Sequence, residues 1–406
     1  MRPRPFCLIL LILSGTFLFL AAPPDKPDPA QTAQRIREVE SSLPEFGAGN
    51  DGSVPKLYTL AERMAAGKVP GVSLAVIDRL RIEWAKGYGV LRAGGTAPVT
   101  TESLFEAAST SKLVTAVMVL RTVEQDRLDL DADVNTYLKS WKVPESEFTR
   151  EQKVTLRRPL THRAGLPATN FPYDETARIP TLVQVLRGEA PAQNKPAVIE
   201  LVPGSKWQYS NIGYVVIQQV LEDVYGQRFE ELARTMVFRP LGMKSSTFAY
   251  PLPPAWRSRE AVPHDDQGTA REPAMHPAAR AQGGLMTTPS DLARLTIELM
   301  RASGGRSGRL LSPASVRQML QPEVELDPKL FGTPAREGLG VFLLGEGEGL
   351  SFGHPGSNYP GATCWLVGYP EKGRGVIVMT NGAGGELLAL ELMAALTKVY
   401  GWPFGR

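Results

Sequence analysis

The sequence predicts an α/β (α+β) fold, in which an antiparallel sheet flanked by helices is built from both ends of the chain around an inserted, mainly helical segment. Three observations carry that prediction. Strand-like runs at 72–77 and 80–88 adjoin one another and read as a hairpin joined at Asp78-Arg79. Further strand-like runs return only near the other end, at 340–344, 363–368 and 375–380. Between about 129 and 281 the pattern is helical segments, 213–225 and 228–238 among them, separated by proline-rich loops. The expected organisation is a signal segment at 1–22, an N-terminal extension at 23–55, an α/β domain from 56–128 and 282–406, and a helical insertion at 129–281.

The first element is an address. A basic start, Met1-Arg2-Pro3-Arg4-Pro5, precedes an apolar run over 6–22 and a polar break at Pro23-Pro24-Asp25. This pattern reads as a secretory signal cleaved near Ala21 or Ala22, so the protein is expected to be exported, periplasmic or extracellular. Membrane anchoring is expected only if that segment stays uncleaved. Its loss, with Arg2 and Arg4, takes the formal charge from +3 to +1 and leaves Cys364 as the sole cysteine, without an intramolecular disulfide partner. Within the extension, a weak amphipathic helix is expected near 35–43, and a final amphipathic helix spans 386–400.

The chemistry-bearing residues fall in three short motifs. Ser109-Thr110-Ser111-Lys112 precedes the run Leu113-Val114-Thr115-Ala116-Val117-Met118-Val119-Leu120, apolar on nearly every side, which predicts a helix buried in a domain. A serine at its start and a lysine three residues on would share one face. A hydroxyl needs a neighbour to take its proton, and a lysine made neutral by burial can do so. Read alone, Ser109 is equally an N-cap and Lys112 a solvated helix residue. A second Ser-x-x-Lys, Ser53-Val54-Pro55-Lys56, lies among Gly, Asp and Pro, where no helix can hold the pair. Tyr209-Ser210-Asn211 offers a phenol to pass a proton and an amide that both donates and accepts, although it also reads as a turn before a capped helix. His354-Pro355-Gly356, followed by Ser357, is either a plain loop or a strand where glycine lets a ligand approach the backbone.

Together these residues resemble the penicillin-recognising serine hydrolases: class C β-lactamases, D-Ala-D-Ala carboxypeptidases and family VIII-type esterases. Further similar segments follow in family order, among them Leu160-Thr161-His162-Arg163-Ala164-Gly165-Leu166-Pro167, Pro240-Leu241-Gly242-Met243 and Met379-Thr380-Asn381-Gly382. The resemblance implies a β-lactamase/transpeptidase-like fold with Ser109 as acylated nucleophile and Lys112 as its proton partner. It implies Tyr209 as a second acid/base and Asn211, His354, Gly356 and Ser357 as substrate-binding residues. The backbone N–H groups of Ser109 and Ser357 would form the oxyanion hole. Two departures stand out. Pro355 replaces a threonine common there, and Pro159 falls where relatives continue a helix. An imidazole and a proline at 354–355 offer a substrate carboxylate little at neutral pH, with charge expected to return as His354 titrates near its ordinary value of about 6.5.

The remaining signals are bland. The other histidines show no metal-ligand spacing, and His162 reads as organising its loop. No Gly-x-Ser-x-Gly elbow is present, and basic residues are spread evenly, which argues against nucleic-acid binding. The expectation is an enzyme without cofactor or metal, acting on a small-molecule or peptide substrate. Ester or amide hydrolysis leads, β-lactamase or D-Ala-D-Ala carboxypeptidase activity follows, and an idle peptidoglycan-peptide binder stands as the non-enzyme reading.

Overall fold

The computed structural model describes residues 28–47, 54–169, 171, 178–271, 276–306, 308–330 and 332–402; the segment at 1–22, with its expected signal and Cys7, and Ser53 lie outside the described residues. The helix expected near 35–43 starts earlier, as Pro29–Glu40, because the Asp28 side chain accepts the Ala30 N–H and Pro29 occupies the first turn, where its missing N–H goes unneeded.

The sheet has nine strands. From one edge the order is Arg81–Gly89, Gly71–Asp78, Arg374–Thr380, Ala362–Tyr369, Ser351–Gly353, Phe342–Leu344, Ala335–Glu337 and Val324–Glu325, with the short strand Gly356–Asn358 also pairing Ala362–Tyr369. All the pairings are antiparallel. The predicted hairpin turns at Arg79 and Leu80, with φ of +51° and +58°, one residue later than the sequence pattern placed it. Two successive left-handed residues make a primed turn, whose twist matches that of the strands.

Both faces of the sheet are covered, which explains why the central strands read as unbroken apolar runs. Along Gly71–Asp78, Ala75 and Ile77 point into one core while Val72, Leu74 and Val76 point into the other; Ile377 and Met379 alternate with Val376 and Val378 in the same way. Helices Pro29–Glu40 and Gly385–Tyr400 close one face, through Val39, Leu388, Leu392 and Leu396. Helices Pro289–Ser303 and Ser111–Val123 cover the other. Burying each such Leu, Ile or Val stabilises the fold by about 1.5–3 kcal/mol. The helical segment between residues 129 and 281 joins this second core: Ile212, Val215, Val216 and Ile217 of helix Asn211–Tyr225 belong to the same apolar cluster as Leu113, Val117 and Leu120. The helix that follows Ser109 therefore lies buried within this second core.

Pro159 sits in a single helical turn, Arg157–Leu160, within the first turn where an N–H has no partner to reach. The predicted 228–238 helix is regular only over Phe229–Ala233, then widens into a π-turn over Arg234–Phe238.

Candidate active site

Ser109 stands in one 3-10 turn, Ala108–Thr110, that feeds directly into helix Ser111–Val123. Ala108 ahead of it has φ +47°, a left-handed conformation costing about 1–2 kcal/mol in a residue with a Cβ. Neighbouring segments hold that turn. The Ala107 N–H donates to the Leu285 carbonyl at 2.9 Å and the Ser111 hydroxyl accepts the Leu285 N–H at 3.0 Å. The Thr110 hydroxyl donates to the His354 carbonyl at 2.8 Å.

Lys112 Nζ lies 3.0 Å from Ser109 Oγ and donates to the Gln282 carbonyl at 2.6 Å. Its side chain is fully buried, and burial holds the amine well below the ordinary lysine range, against the opposing pull of Glu337. A neutral amine beside a hydroxyl is a general base for that hydroxyl. The amine also stands over two tyrosine rings, 5.0 Å from the Tyr209 centroid and 5.5 Å from that of Tyr214. Tyr209 completes the group: its hydroxyl is within reach of the Ser109 side chain, and burial raises its pKa well above the usual phenol value.

Tyr209 belongs to the loop ahead of helix Asn211–Tyr225, whose N-cap is Ser210 rather than Asn211. Asn211, in the first helical turn, donates to the Thr169 carbonyl at 3.4 Å and leaves its Oδ1 buried without a partner, an acceptor available to a substrate N–H. His162 lies against the back of Tyr209, ring centroids 4.1 Å apart, with Nδ1 accepting the Ser210 N–H at 3.0 Å.

The third motif lines the far side, and it corrects one expectation, the titration of His354. His354 is buried, its ring 6.4 Å from Tyr209 and 4.9 Å from Phe342. Burial, with the Lys112 amine close by, pushes it down to about 3, so it stays neutral through the range in which a free imidazole would charge. Its Nδ1 lies 2.7 Å from the Pro355 carbonyl, so Nδ1 carries the proton and Nε2 the lone pair. Packing also requires glycine at Gly356: a Cβ there would lie 2.2 Å from the Ala107 carbonyl oxygen, beside the turn that bears Ser109. Ser357 is exposed on the short strand Gly356–Asn358.

The structure thus brings Ser109, Lys112 and Tyr209 into one cluster, with His354 on its flank and the strand bearing Gly356 and Ser357 packed against the nucleophile's turn. Sequence reasoning missed Gln282, which anchors Lys112, and Glu106, which accepts from Asn358 Nδ2 at 2.9 Å and so ties the strand before Ser109 to the strand of Ser357. It also missed Glu337 and Trp207, bonded through Trp207 Nε1–H to Glu337 Oε2 at 2.5 Å behind Tyr209. No spacing marks any of these, because each acts across hundreds of residues or from a different strand.

This arrangement of sheet, buried helix and Ser-Lys-Tyr cluster defines a serine hydrolase. The chain belongs to the Beta-lactamase family, whose profile matches residues 59–397. It is 31% identical over 333 residues to penicillin-binding protein 4 of Amycolatopsis lactamdurans, covering 77% of this chain and 81% of that one. It is 24% identical over 329 residues to the D-alanyl-D-alanine-carboxypeptidase/endopeptidase AmpH of Escherichia coli K12, covering 80% and 76%. Among solved structures, the octameric penicillin-binding protein homologue from Pyrococcus abyssi superimposes with a TM-score of 0.68 at 25% identity, covering 85% of this chain and 77% of that one.

Proposed function

We propose that the protein is an exported serine acyl-hydrolase that opens short, uncharged esters or amides through an acyl-enzyme on Ser109. One observation carries the chemistry: a fully buried lysine amine, kept from charging by its surroundings, 3.0 Å from a serine hydroxyl that a tyrosine also reaches. In acylation the Ser109 proton passes to Lys112 as Oγ bonds to the carbonyl carbon; the bond to the leaving group breaks, and Tyr209 gives that group its proton. In deacylation a water gives its proton to the Tyr209 phenolate and attacks the ester. Lys112 then returns the first proton to Ser109 as the acid departs. No proton or electron pair is left over, and no cofactor is called on.

The substrate reading rests on the flank opposite Tyr209. His354 is held neutral there, and Pro355 has neither N–H nor hydroxyl to offer. A carboxylate-bearing substrate placed at that flank forgoes a charge-assisted hydrogen bond, a loss of about 1.5–3 kcal/mol, or roughly 10–100-fold in kcat/KM. A second reading, a D-Ala-D-Ala peptidase or β-lactam hydrolase, is favoured by the names of the penicillin-binding and carboxypeptidase relatives.

Parallel incubation with a fluorescent penicillin, a D-Ala-D-Ala peptide and an aryl ester separates the two. Many rapid turnovers of the ester and slow release from the penicillin are expected. The preference should stay flat between about pH 5 and pH 8, because the neighbouring imidazole does not titrate there. Faster hydrolysis of penicillin or peptide, after allowance for the ester's better leaving group, would make the peptidase reading the correct one.

A further inference from the structure

Glu337 is the buried ionisable group that the reaction scheme leaves unused. It ends the strand Ala335–Glu337 with its side chain turned inward, 1% exposed, while Arg336 beside it pairs with the exposed Glu346. Glycine and leucine follow it in Gly338-Leu339-Gly340, so nothing in the local sequence calls for a charge here. A carboxyl placed in such a site is costly unless donors and a counter-charge accompany it.

Both its oxygens face donors. Oε2 accepts the Trp207 indole N–H at 2.5 Å. Oε1 lies 3.7 Å from His162 Nε2, too long for a hydrogen bond, and those two atoms are each buried with no hydrogen-bond partner. His162 Nδ1 already accepts the Ser210 N–H, so the proton of the neutral ring sits on Nε2 and is aimed at Glu337. A carboxylate satisfies both contacts, whereas a carboxyl proton would find no acceptor between them. Burial pushes the Glu337 carboxyl well above the usual range, and the Trp207 bond and the nearness of Lys112 oppose that push. The groups facing it come from four elements: Lys112 from the nucleophile's helix, Tyr214 from helix Asn211–Tyr225, Trp207 and Tyr209 from the loop before that helix, and His162 from its own loop. Of these, burial and the nearby Lys112 and His354 keep His162 neutral, so Lys112 is the one that takes up positive charge.

We infer that Glu337 is a positioning and counter-charge residue, a buried carboxylate that fixes Tyr209 through His162 and Trp207 and balances the charge Lys112 acquires when Ser109 is acylated. This rests on the reading of Ser109 and Lys112 given above. At rest Lys112 is neutral, and Glu337 accepts the Trp207 N–H while the His162 N–H lies close by. Once the serine proton reaches Lys112, the new ammonium faces a carboxylate already in place and needs no reorganisation to be stabilised. The same negative charge disfavours phenolate at Tyr209, so the phenolate formed on leaving-group protonation is a strong base for the deacylating water.

The test is the pH profile of kcat/KM for p-nitrophenyl acetate, read at the isosbestic wavelength, in wild type, Glu337→Gln, Trp207→Phe and Ser109→Ala. Glutamine keeps the volume and the acceptor for Trp207 and removes the charge. Without that charge Lys112 is harder to protonate, so the acid limb should move to lower pH by about 0.5–1 unit. The plateau kcat should fall about tenfold as the base weakens, with KM less affected. Trp207→Phe, which strips one donor from the carboxylate, should move the limb the same way by less, and it decides the matter if Glu337→Gln does not fold. An acid limb that stays in place in the folded variant, whatever the change in kcat, would show Glu337 to be packing alone. Turnover surviving in Ser109→Ala would instead remove the nucleophile assignment and this inference with it, a result distinct from an unmoved limb.

Discussion

Ser109 and Tyr209 come together in one cluster, yet the two sides of the site are anchored by different means. The turn bearing Ser109 is held by the backbone bond from Ala107 to Leu285 and by the Ser111 and Thr110 hydroxyls bonded to main-chain groups of Leu285 and His354, with no room for a side chain on Gly356. The Tyr209 loop is held largely by side chains: the His162 ring behind it, the Trp207 indole beside it, and the Glu337 carboxyl from a distant strand. A turn whose partners are main-chain groups keeps those partners when the side chains of the neighbouring segments change. A loop fixed by buried polar side chains depends on each of them and on their charge.

Removing the proton carriers probes both sides at once. Lys112→Ala takes the base from the rigid side and should slow acylation by about 10³–10⁴-fold or more. Tyr209→Phe keeps the ring against His162 and loses only the hydroxyl, so kcat should fall by about 10²–10⁴-fold with the melting temperature nearly unchanged. Stopped-flow acylation and steady-state turnover distinguish the two steps. Near-wild-type rates in Tyr209→Phe would make the tyrosine structural and leave both proton transfers to Lys112.

A smaller effect sharpens the comparison on the nucleophile's side. Glu106 is buried and its carboxyl is pushed up to about 7 by that burial, partly offset by the Asn358 bond. The folded protein therefore holds its proton where the unfolded chain has lost it. With the folded value above the unfolded one, this group's contribution to stability falls as pH rises from about 4.5 to about 7, by up to about 3 kcal/mol. Glu106→Gln removes that slope, so the variant should gain on wild type across this window in urea denaturation. Parallel curves from pH 4.5 to 7 would mean that the carboxyl is ionised without penalty.

The legibility of the molecule in its sequence follows the same division. The sheet's central strands, the buried helix after Ser109 and the three motifs were readable because period, burial and spacing are local properties. Helix edges shifted where caps decide them, as at Asp28 and Ser210. The ordinary titration expected of His354 failed because burial and the nearby Lys112, both products of tertiary packing, hold it neutral. Glu337, Glu106 and Gln282 were invisible for one physical reason: each is defined by a partner far along the chain, and nothing in its own neighbourhood distinguishes it.

The central claim is that Ser109 is the residue acylated. Mass spectrometry of tryptic fragments after exposure to a fluorophosphonate tests it most directly, with Ser109→Ala as control. The account predicts a single adduct on Ser109, absent in the variant, which should stay folded because loss of that hydroxyl costs only about 1 kcal/mol. An adduct on Ser53 or Ser111, or labelling that persists in Ser109→Ala, would contradict it.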